Sequence, residues 1–443
     1  MTPMTLEDYL ELNASLYADK VAVVCQGQEV TYLQLNQLVN IRASELKRSH
    51  QEKSGRVVPI RTTQTTDFLV EYFAIHRAGL VAAPLEKDTP EERLNEIAQS
   101  LTGADVPKGI ADVLYTTGTT GRSKGVMISH RTIVSDAENL IEGQGFSHDL
   151  VFVIHGPLNH IGSLSKIYPT VMLGATLYIL DGLRDHDAFF RALDFPARKA
   201  ATFFVPANIR MLIQMSGDRL KQYSERLDFI ESGGAPLPHA DMLQLCQLLP
   251  STRMYNTYAS TETGIISTYN FNDGRCLVGC LGKPMKHSRV IITSDGHISC
   301  QGDTLMSGYV GDPELTASVM HDDTVFTADM GEIDSEGMLH IGGRADDVIN
   351  VGGYKVAPTE VEDVALSLPE IKDCICISVP HAITGRALKL LVVTADGKPV
   401  NKQRTARFIA SKLEPYKVPM LYERVDAIQR TYNGKLDRKH YRE

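Results

Sequence analysis

At 443 residues, with 43% apolar and 22% charged side chains, the chain is long enough for two or three globular domains. A formal charge of −9 argues against a nucleic-acid partner, whose phosphates reward a basic face, and no apolar run nears the roughly 18 residues of a membrane span. Seven scattered cysteines without a C-x-x-C read as buried thiols, the fourteen histidines show no metal-binding spacing, and the acidic N-terminus lacks a signal peptide, so a cytoplasmic protein is expected.

The first elements alternate. Leu6, Leu10 and Leu16 share one face of a helix over residues 5–20, and strand 21–25 and helix 33–49 follow. Strand 57–60, helix 65–79 with Gly79 as its C-cap, and buried strand 80–85 continue the pattern, which implies a largely parallel α/β sheet. After residue 86 the chain is polar up to Ala111. Strand, loop and strand then lead to Ser129, well placed to cap a helix over 130–143. Further strand–helix alternation runs to about residue 255, and residues 276–310 read as antiparallel β. From about residue 347 two helices and two strands make a small α+β unit. The expected division is a core over 1–345, with α/β layers plus a β-rich subdomain, and a small mobile domain over 346–443. The Gly342–Asp347 stretch is the expected linker.

The densest chemistry lies between the first two of those later strands. Thr116, Thr117, Gly118, Thr119, Thr120, Gly121, Arg122, Ser123, Lys124 and Gly125 join two apolar runs. Glycines admit close approach of backbone N–H groups, hydroxyls donate further bonds, and Lys124 adds charge, as a phosphate loop requires. The G-x-x-x-x-G-K-[ST] order of kinase-like NTPases is absent, because Ser123 precedes Lys124 and Gly125 follows it.

Four more stretches accompany the loop. Ser232-Gly233-Gly234-Ala235-Pro236 and Asn256-Thr257-Tyr258-Ala259-Ser260-Thr261-Glu262-Thr263-Gly264 each end a strand. Thr327-Ala328-Asp329 precedes Gly342-Gly343-Arg344, and Asn433-Gly434-Lys435 lies near the C-terminus. In this order and spacing the five motifs resemble the adenylate-forming superfamily of acyl- and aryl-CoA ligases, peptide-synthetase adenylation domains and luciferases. The resemblance covers nearly the whole chain.

The resemblance implies ATP-dependent activation of a carboxylic acid to an acyl-adenylate, release of pyrophosphate, and transfer of the acyl group to a thiol. The loop would hold the β- and γ-phosphates through Thr116, Thr119, Thr120 and Lys124, Glu262 would hold Mg²⁺, and Thr261 would bond the α-phosphate. Tyr258 would stack on adenine, with Gly233, Gly234 and Ala235 on its other side, and Asp329 and Arg344 would read the ribose. Lys435 would stabilise the charge that builds up as carboxylate meets α-phosphate, an effect worth about 3–4 kcal/mol for one such group. Asp346 would be the hinge of a swinging C-terminal domain, and Gly353 would make room for a pantetheine arm.

His160 stands where acyl- and aryl-CoA ligases of the superfamily often carry histidine. Its neighbour Ile161 supplies no carboxylate for an ammonium, which disfavours an amino-acid substrate. Coenzyme A is the expected acceptor, since no carrier domain precedes Glu443. A separate acyl carrier protein, or a nucleotide-binding relative without catalysis, are the alternatives. Ala259 and Ala328 stand where relatives often have glycine, and each adds a methyl group near the nucleotide.

Overall fold

The computed structural model describes residues 3–49, 56–101, 104, 106–117, 123–431 and 434–441. At its centre is a 14-stranded sheet. The middle of that sheet is a parallel block, in spatial order Arg253–Ser260, Leu227–Gly233, Lys199–Phe204, Leu150–Ile154, Thr176–Ile179 and Val21–Cys25. Its strands are apolar on both faces, Leu150–Ile154 being buried at every position, and such strands need cover above and below. Helices supply it. Leu10, Val39, Phe73 and Leu140 pack in one buried cluster, and Phe189, Leu212 and Leu245 pack in another. The parallel α/β sheet expected from the alternation of elements is present.

Beyond Arg253–Ser260 every pairing turns antiparallel, through Gly264–Asn270, Cys280–Pro284, Leu339–Arg344, Thr324–Ile333, His297–Gly302 and Ser288–Ile292. A separate four-stranded sheet places Val57–Arg61, Val81–Leu85 and Ile110–Thr117 in parallel and ends in an antiparallel hairpin with Ser123–Ser129. The C-terminal part has its own three-stranded sheet, Ile371–His381, Gly385–Thr394 and Leu421–Arg424. Helices Pro358–Leu366 and Lys402–Ala410 bury Val361 and Ile409 in a core of their own with Leu390. The protein is a mixed α/β fold with a large N-terminal sheet domain and a smaller C-terminal domain.

Two local features differ from the sequence expectation. The polar stretch after residue 86 holds a helix, Glu91–Ser100, whose short apolar stripe of Leu94 and Ile97, continued by Leu101, packs on the four-stranded sheet's core. Gly342, Gly343 and Arg344 are not linker. They complete the Leu339–Arg344 strand, and the connection is a single 3₁₀ turn, Ala345–Asp347.

Candidate active site

The phosphate-loop hairpin is built by a register that sets Thr116 opposite Lys124 and Thr117 opposite Ser123. Gly118, Thr119, Thr120 and Gly121 lie outside the described residues. The base is clamped by the chain near residue 309: Met127 N–H donates to Gly308 O at 2.9 Å, and Val310 N–H donates to Gly125 O at 2.9 Å. A Cβ on Gly125 would lie 2.6 Å from Val310 Cγ1 and 2.9 Å from Val113 Cγ1, so only glycine fits between hairpin and clamp. Past the hairpin, Ser129 Oγ accepts from Thr132 N and starts the His130–Gln144 helix, as the sequence predicts.

Adjacent parallel strands deliver the next two motifs at their C-terminal ends, where ligands collect in open α/β sheets. Leu227–Gly233 runs into Gly234, whose φ of +80° favours glycine, and then Ala235. Arg253–Ser260 carries Tyr258 and runs into the Thr261–Glu262 turn, which Ser260 and Thr263 close through reciprocal bonds of 3.0–3.2 Å. Glu262 is held by the Tyr309 hydroxyl, which donates to Oε1 at 3.1 Å, and Lys124 Nζ sits 5.3 Å above the same Tyr309 ring. Tyr309 thus joins the carboxylate and the loop cation. Its aromatic hydroxyl lies outside all five motifs, so motif reading passed over it.

Asp329 and Arg344 are direct cross-strand partners. Tyr258 donates its hydroxyl to Asp329 Oδ2 at 2.8 Å, and Arg344 Nη1 donates to Oδ1 at 3.3 Å. Tyr258 is 6% exposed and packs with Ile266, Leu281 and Ile298. The expected stacking contact therefore rests on a small accessible part of the ring, and the plainer work of Tyr258 is to hold Asp329.

Lys435 reaches this site from the C-terminal domain. Its turn is tight: Gly434 N–H donates to Thr431 O, and Thr431 N–H donates to Lys435 O, each at 2.8 Å. Gly434 leans on the N-terminal domain, a Cβ there falling 3.3 Å from Val205. A Cβ on Gly234 would meet Lys435 Cε at 3.5 Å and Nζ at 4.0 Å. The ammonium is pulled below the ordinary lysine value, first by loss of solvent and then by Arg344, with Asp329 and Glu262 opposing. One C-terminal cation and three N-terminal charged groups therefore share one electrostatic neighbourhood. Further contacts hold the domains in this orientation: Arg210 Nη1 donates to Lys372 O at 3.3 Å, and His239 N–H donates to Asp363 Oδ1 at 2.8 Å.

His160 precedes the short Ile161–Leu164 helix. Cβ atoms built on Gly162 and Gly233 lie 2.9 and 3.5 Å from the Phe203 ring, so one aromatic ring separates the His160 loop from the Ser232–Gly234 strand end. Behind it lies an ion pair that motif reading passed over. Lys166 Nζ is 2.7 Å from Glu231 Oε2, both side chains are 1% exposed, and Nζ sits 5.3 Å over the Phe203 ring. The sequence signal is a lone cation in the apolar stretch LSKIYPTVML. Asp136, fully buried near Lys166, has its pKa raised to about 7 by desolvation, with the Ile265 N–H bond and Lys166 opposing.

Two expected residues lie elsewhere. Asp346 is in the Ala345–Asp347 turn, its Oδ2 3.8 Å from Arg344 Nη2. Gly353 occupies the exposed turn between Ile349–Val351 and Tyr354–Val356, with φ +97° and its N–H bonded to Asn350 Oδ1. It is not part of the Lys435 cluster.

Comparison with known proteins identifies the family. The AMP-binding enzyme family matches residues 10–102 and 97–310, and the AMP-binding enzyme C-terminal domain matches residues 360–435. A feruloyl-CoA synthase from Amycolatopsis is 27% identical, with 93% of both chains covered. An oxalate–CoA ligase from Arabidopsis thaliana is 25% identical over 98% of this chain and 97% of its own. Among solved structures, ATP-bound MatB from Rhodopseudomonas palustris superposes with a TM-score of 0.85 at 24% identity, covering 99% of each chain. The o-succinylbenzoate CoA synthetase from Bacillus subtilis, bound to its acyl-adenylate, also gives 0.85, at 21% identity over 100% and 99% of the two chains. The motifs, the fold and both family matches converge, and the chain belongs to the AMP-binding, adenylate-forming enzyme family.

Proposed function

We propose that this enzyme is an AMP-forming acid–thiol ligase that joins a non-amino carboxylic acid to coenzyme A. The observation that carries the proposal is Lys435, delivered by the C-terminal domain against Gly234 and into the charge field of Glu262, Asp329 and Arg344. That is where a cation acts if a carboxylate oxygen attacks the α-phosphorus of ATP. The new O–P bond forms as the bond to pyrophosphate breaks, and the negative charge drawn together there is met by the Lys435 ammonium.

The other residues prepare that step. Asp329 accepts from the ribose hydroxyls while Tyr258 and Arg344 fix its carboxylate. Lys124 and Thr116 grip the leaving pyrophosphate, and Thr261 donates to the α-phosphate. Gly233, Gly234 and Ala235 border the base. Glu262 suits Mg²⁺: it is a hard oxygen donor steadied at one oxygen by Tyr309, and one carboxylate suffices for an ion that keeps its waters and phosphate ligands. When bound, the ion neutralises phosphate charge. His160 and Phe203 wall the acid, and no carboxylate adjoins His160 to pair with an ammonium.

In the second half-reaction the thiol sulfur bonds to the acyl carbon and AMP leaves. The Gly353 turn stands away from the site, so this step needs the C-terminal domain to rotate about the Ala345–Asp347 turn, with Asp346 absorbing the change. Coenzyme A as acceptor is supported by the likeness to a feruloyl-CoA synthase and an oxalate–CoA ligase. A carrier-protein acceptor draws support from a gramicidin S synthase 2 of Brevibacillus brevis, 24% identical over 98% of this chain but 11% of its own length.

The test is a panel of fatty, aryl and keto acids with ATP, Mg²⁺ and hydroxylamine. Hydroxamate and pyrophosphate should form with at least one acid, and the same acid should yield a thioester with coenzyme A. Hydroxamate formation with a thioester only on a pantetheinylated carrier would replace the acceptor, and no pyrophosphate from any acid would refute the activity.

A further inference from the structure

A second cluster of ligating groups lies at the root of the phosphate-loop hairpin. Glu7 comes from helix Leu6–Leu16, His76 from the last turn of helix Thr66–Arg77, and His130 from the first turn of helix His130–Gln144. Each offers one ligand atom, and the three atoms lie within 4.8 Å of one another. Glu7 Oε2 and His130 Nδ1 are 3.8 Å apart. The His76 side chain is fully buried, and Glu7 is 8% exposed. Glu7 Oε2, His76 Nδ1 and His130 Nδ1 are all buried without a hydrogen-bond partner among the described residues.

That pattern is costly for ordinary packing. A buried carboxylate oxygen without a donor and two buried imidazole nitrogens without partners each forfeit solvation. Nor is Glu7 the only buried acid here. Asp112, fully buried, accepts from Tyr72 at 2.8 Å and sits 2.9 Å from His76 Nε2. Protonating both imidazoles would balance two carboxylates, but the rings stand edge to face with centroids 5.3 Å apart, where two positive charges repel. One divalent ion balances the same charge and satisfies all three atoms.

We infer that Glu7, His76 and His130 form a structural binding site for a divalent transition-metal ion of the Zn²⁺ type. Two imidazoles and one carboxylate are a ligand set that zinc accepts and that Mg²⁺ and Ca²⁺ do not favour. Bonds of about 2.0–2.2 Å bring tetrahedral ligands to about 3.4 Å from one another, so a spacing within 4.8 Å needs a contraction of about 1.4 Å at most. With His76 Nε2 taken by Asp112, Nδ1 is the ring atom left for the metal, and the carboxylate fixes tautomer and ring plane as metal-binding histidines require. His130 is the most exposed of the three, its side chain 23% accessible. The ion would tie three helices to the strand Ile110–Thr117 and so stiffen the root of the phosphate loop. This site is independent of the proposed ligase activity.

The experiment uses the full chain, stripped with a chelator and studied without ATP or acid. One Zn²⁺ or Co²⁺ per chain should bind with micromolar or tighter affinity. Co²⁺ should give the visible absorption of a four- or five-coordinate site, and Zn²⁺ should raise Tm by several degrees. His130→Gln and Glu7→Gln, at less enclosed positions than His76, should each weaken binding at least tenfold and remove the Tm rise while the metal-free Tm stays near that of the parent. Binding weaker than 100 μM in the parent, or unchanged binding in both variants, would overturn the inference.

Discussion

Asp329 and Arg344 face each other across neighbouring antiparallel strands, and Arg344 Nη1 donates to Asp329 Oδ1 at 3.3 Å. Tyr258 takes the other carboxylate oxygen, so three residues spread over 86 positions of sequence fix one acceptor. Hydrogen bonds to charged groups contribute about 1.5–3 kcal/mol. Asp329→Ala should therefore raise KM for ATP roughly tenfold to a hundredfold with a smaller change in KM for the acid. Tyr258→Phe, which removes only the support, should change it several-fold. Initial-rate kinetics against each substrate would separate the two.

The Lys166–Glu231 pair behind Phe203 gives a stability prediction. Breaking a buried pair strands one charge and costs about 3–5 kcal/mol, whereas replacing both partners by apolar groups of similar volume is often neutral. Lys166→Met should lower stability by about that amount, and Lys166→Met with Glu231→Leu should recover most of it. Denaturant melts of the two variants would check this.

Asp136 gives a pH dependence of defined sign. Burial raises its pKa from 3.8 to about 7, and Oδ2 is buried without a partner while Oδ1 accepts from Ile265 N–H. The folded state holds this proton more tightly than the unfolded chain, so its stabilising contribution is present below the unfolded pKa and is lost as pH rises through about 7. Asp136→Asn keeps the acceptor and abolishes the titration. The variant should match the parent at pH 4 and exceed it by roughly 2–4 kcal/mol at pH 8, at about 1.4 kcal/mol per pKa unit. Unfolding curves across that range would show it.

Arg210 tests the orientation of the domains. Its guanidinium binds Asp241 Oδ2 at 2.7 Å in its own domain, and it donates to Lys372 O at 3.3 Å across the interface, with Asp373 3.7 Å away. Arg210→Ala should slow pyrophosphate release several-fold, because it loosens the orientation that delivers Lys435, and should also lower Tm, because it strands the largely buried Asp241 carboxylate. Single-turnover measurement of the adenylation step is the readout.

The alternation of apolar strands and amphipathic helices was readable because each buried strand declares itself by composition, and the site was readable because its residues sit in five short motifs. Tyr309, Lys166 and Asp136 were not, for a shared reason. Each owes its role to a partner far away in sequence, Glu262, Glu231 and Ile265 N–H respectively, and a single side chain in a run does not announce that partner. Helix Glu91–Ser100 escaped because its apolar stripe of Leu94, Ile97 and Leu101 is short and set in an otherwise polar stretch. Gly342 and Gly343 suggest a linker by composition, but Gly343 pairs with Met330 in the sheet, and a Cβ on it would lie 3.3 Å from Ala357 Cβ at the start of helix Pro358–Leu366.

Everything proposed for the reaction turns on Lys435, the cation that reaches the site from the C-terminal domain. Lys435→Ala should be compared with the parent in ATP–pyrophosphate exchange with a productive acid, alongside Tm and ATP affinity. Loss of exchange by at least two to three orders of magnitude is predicted, equivalent to about 3–4 kcal/mol, with Tm and ATP binding nearly unchanged. Exchange at the parental rate in a folded Lys435→Ala enzyme would contradict the account.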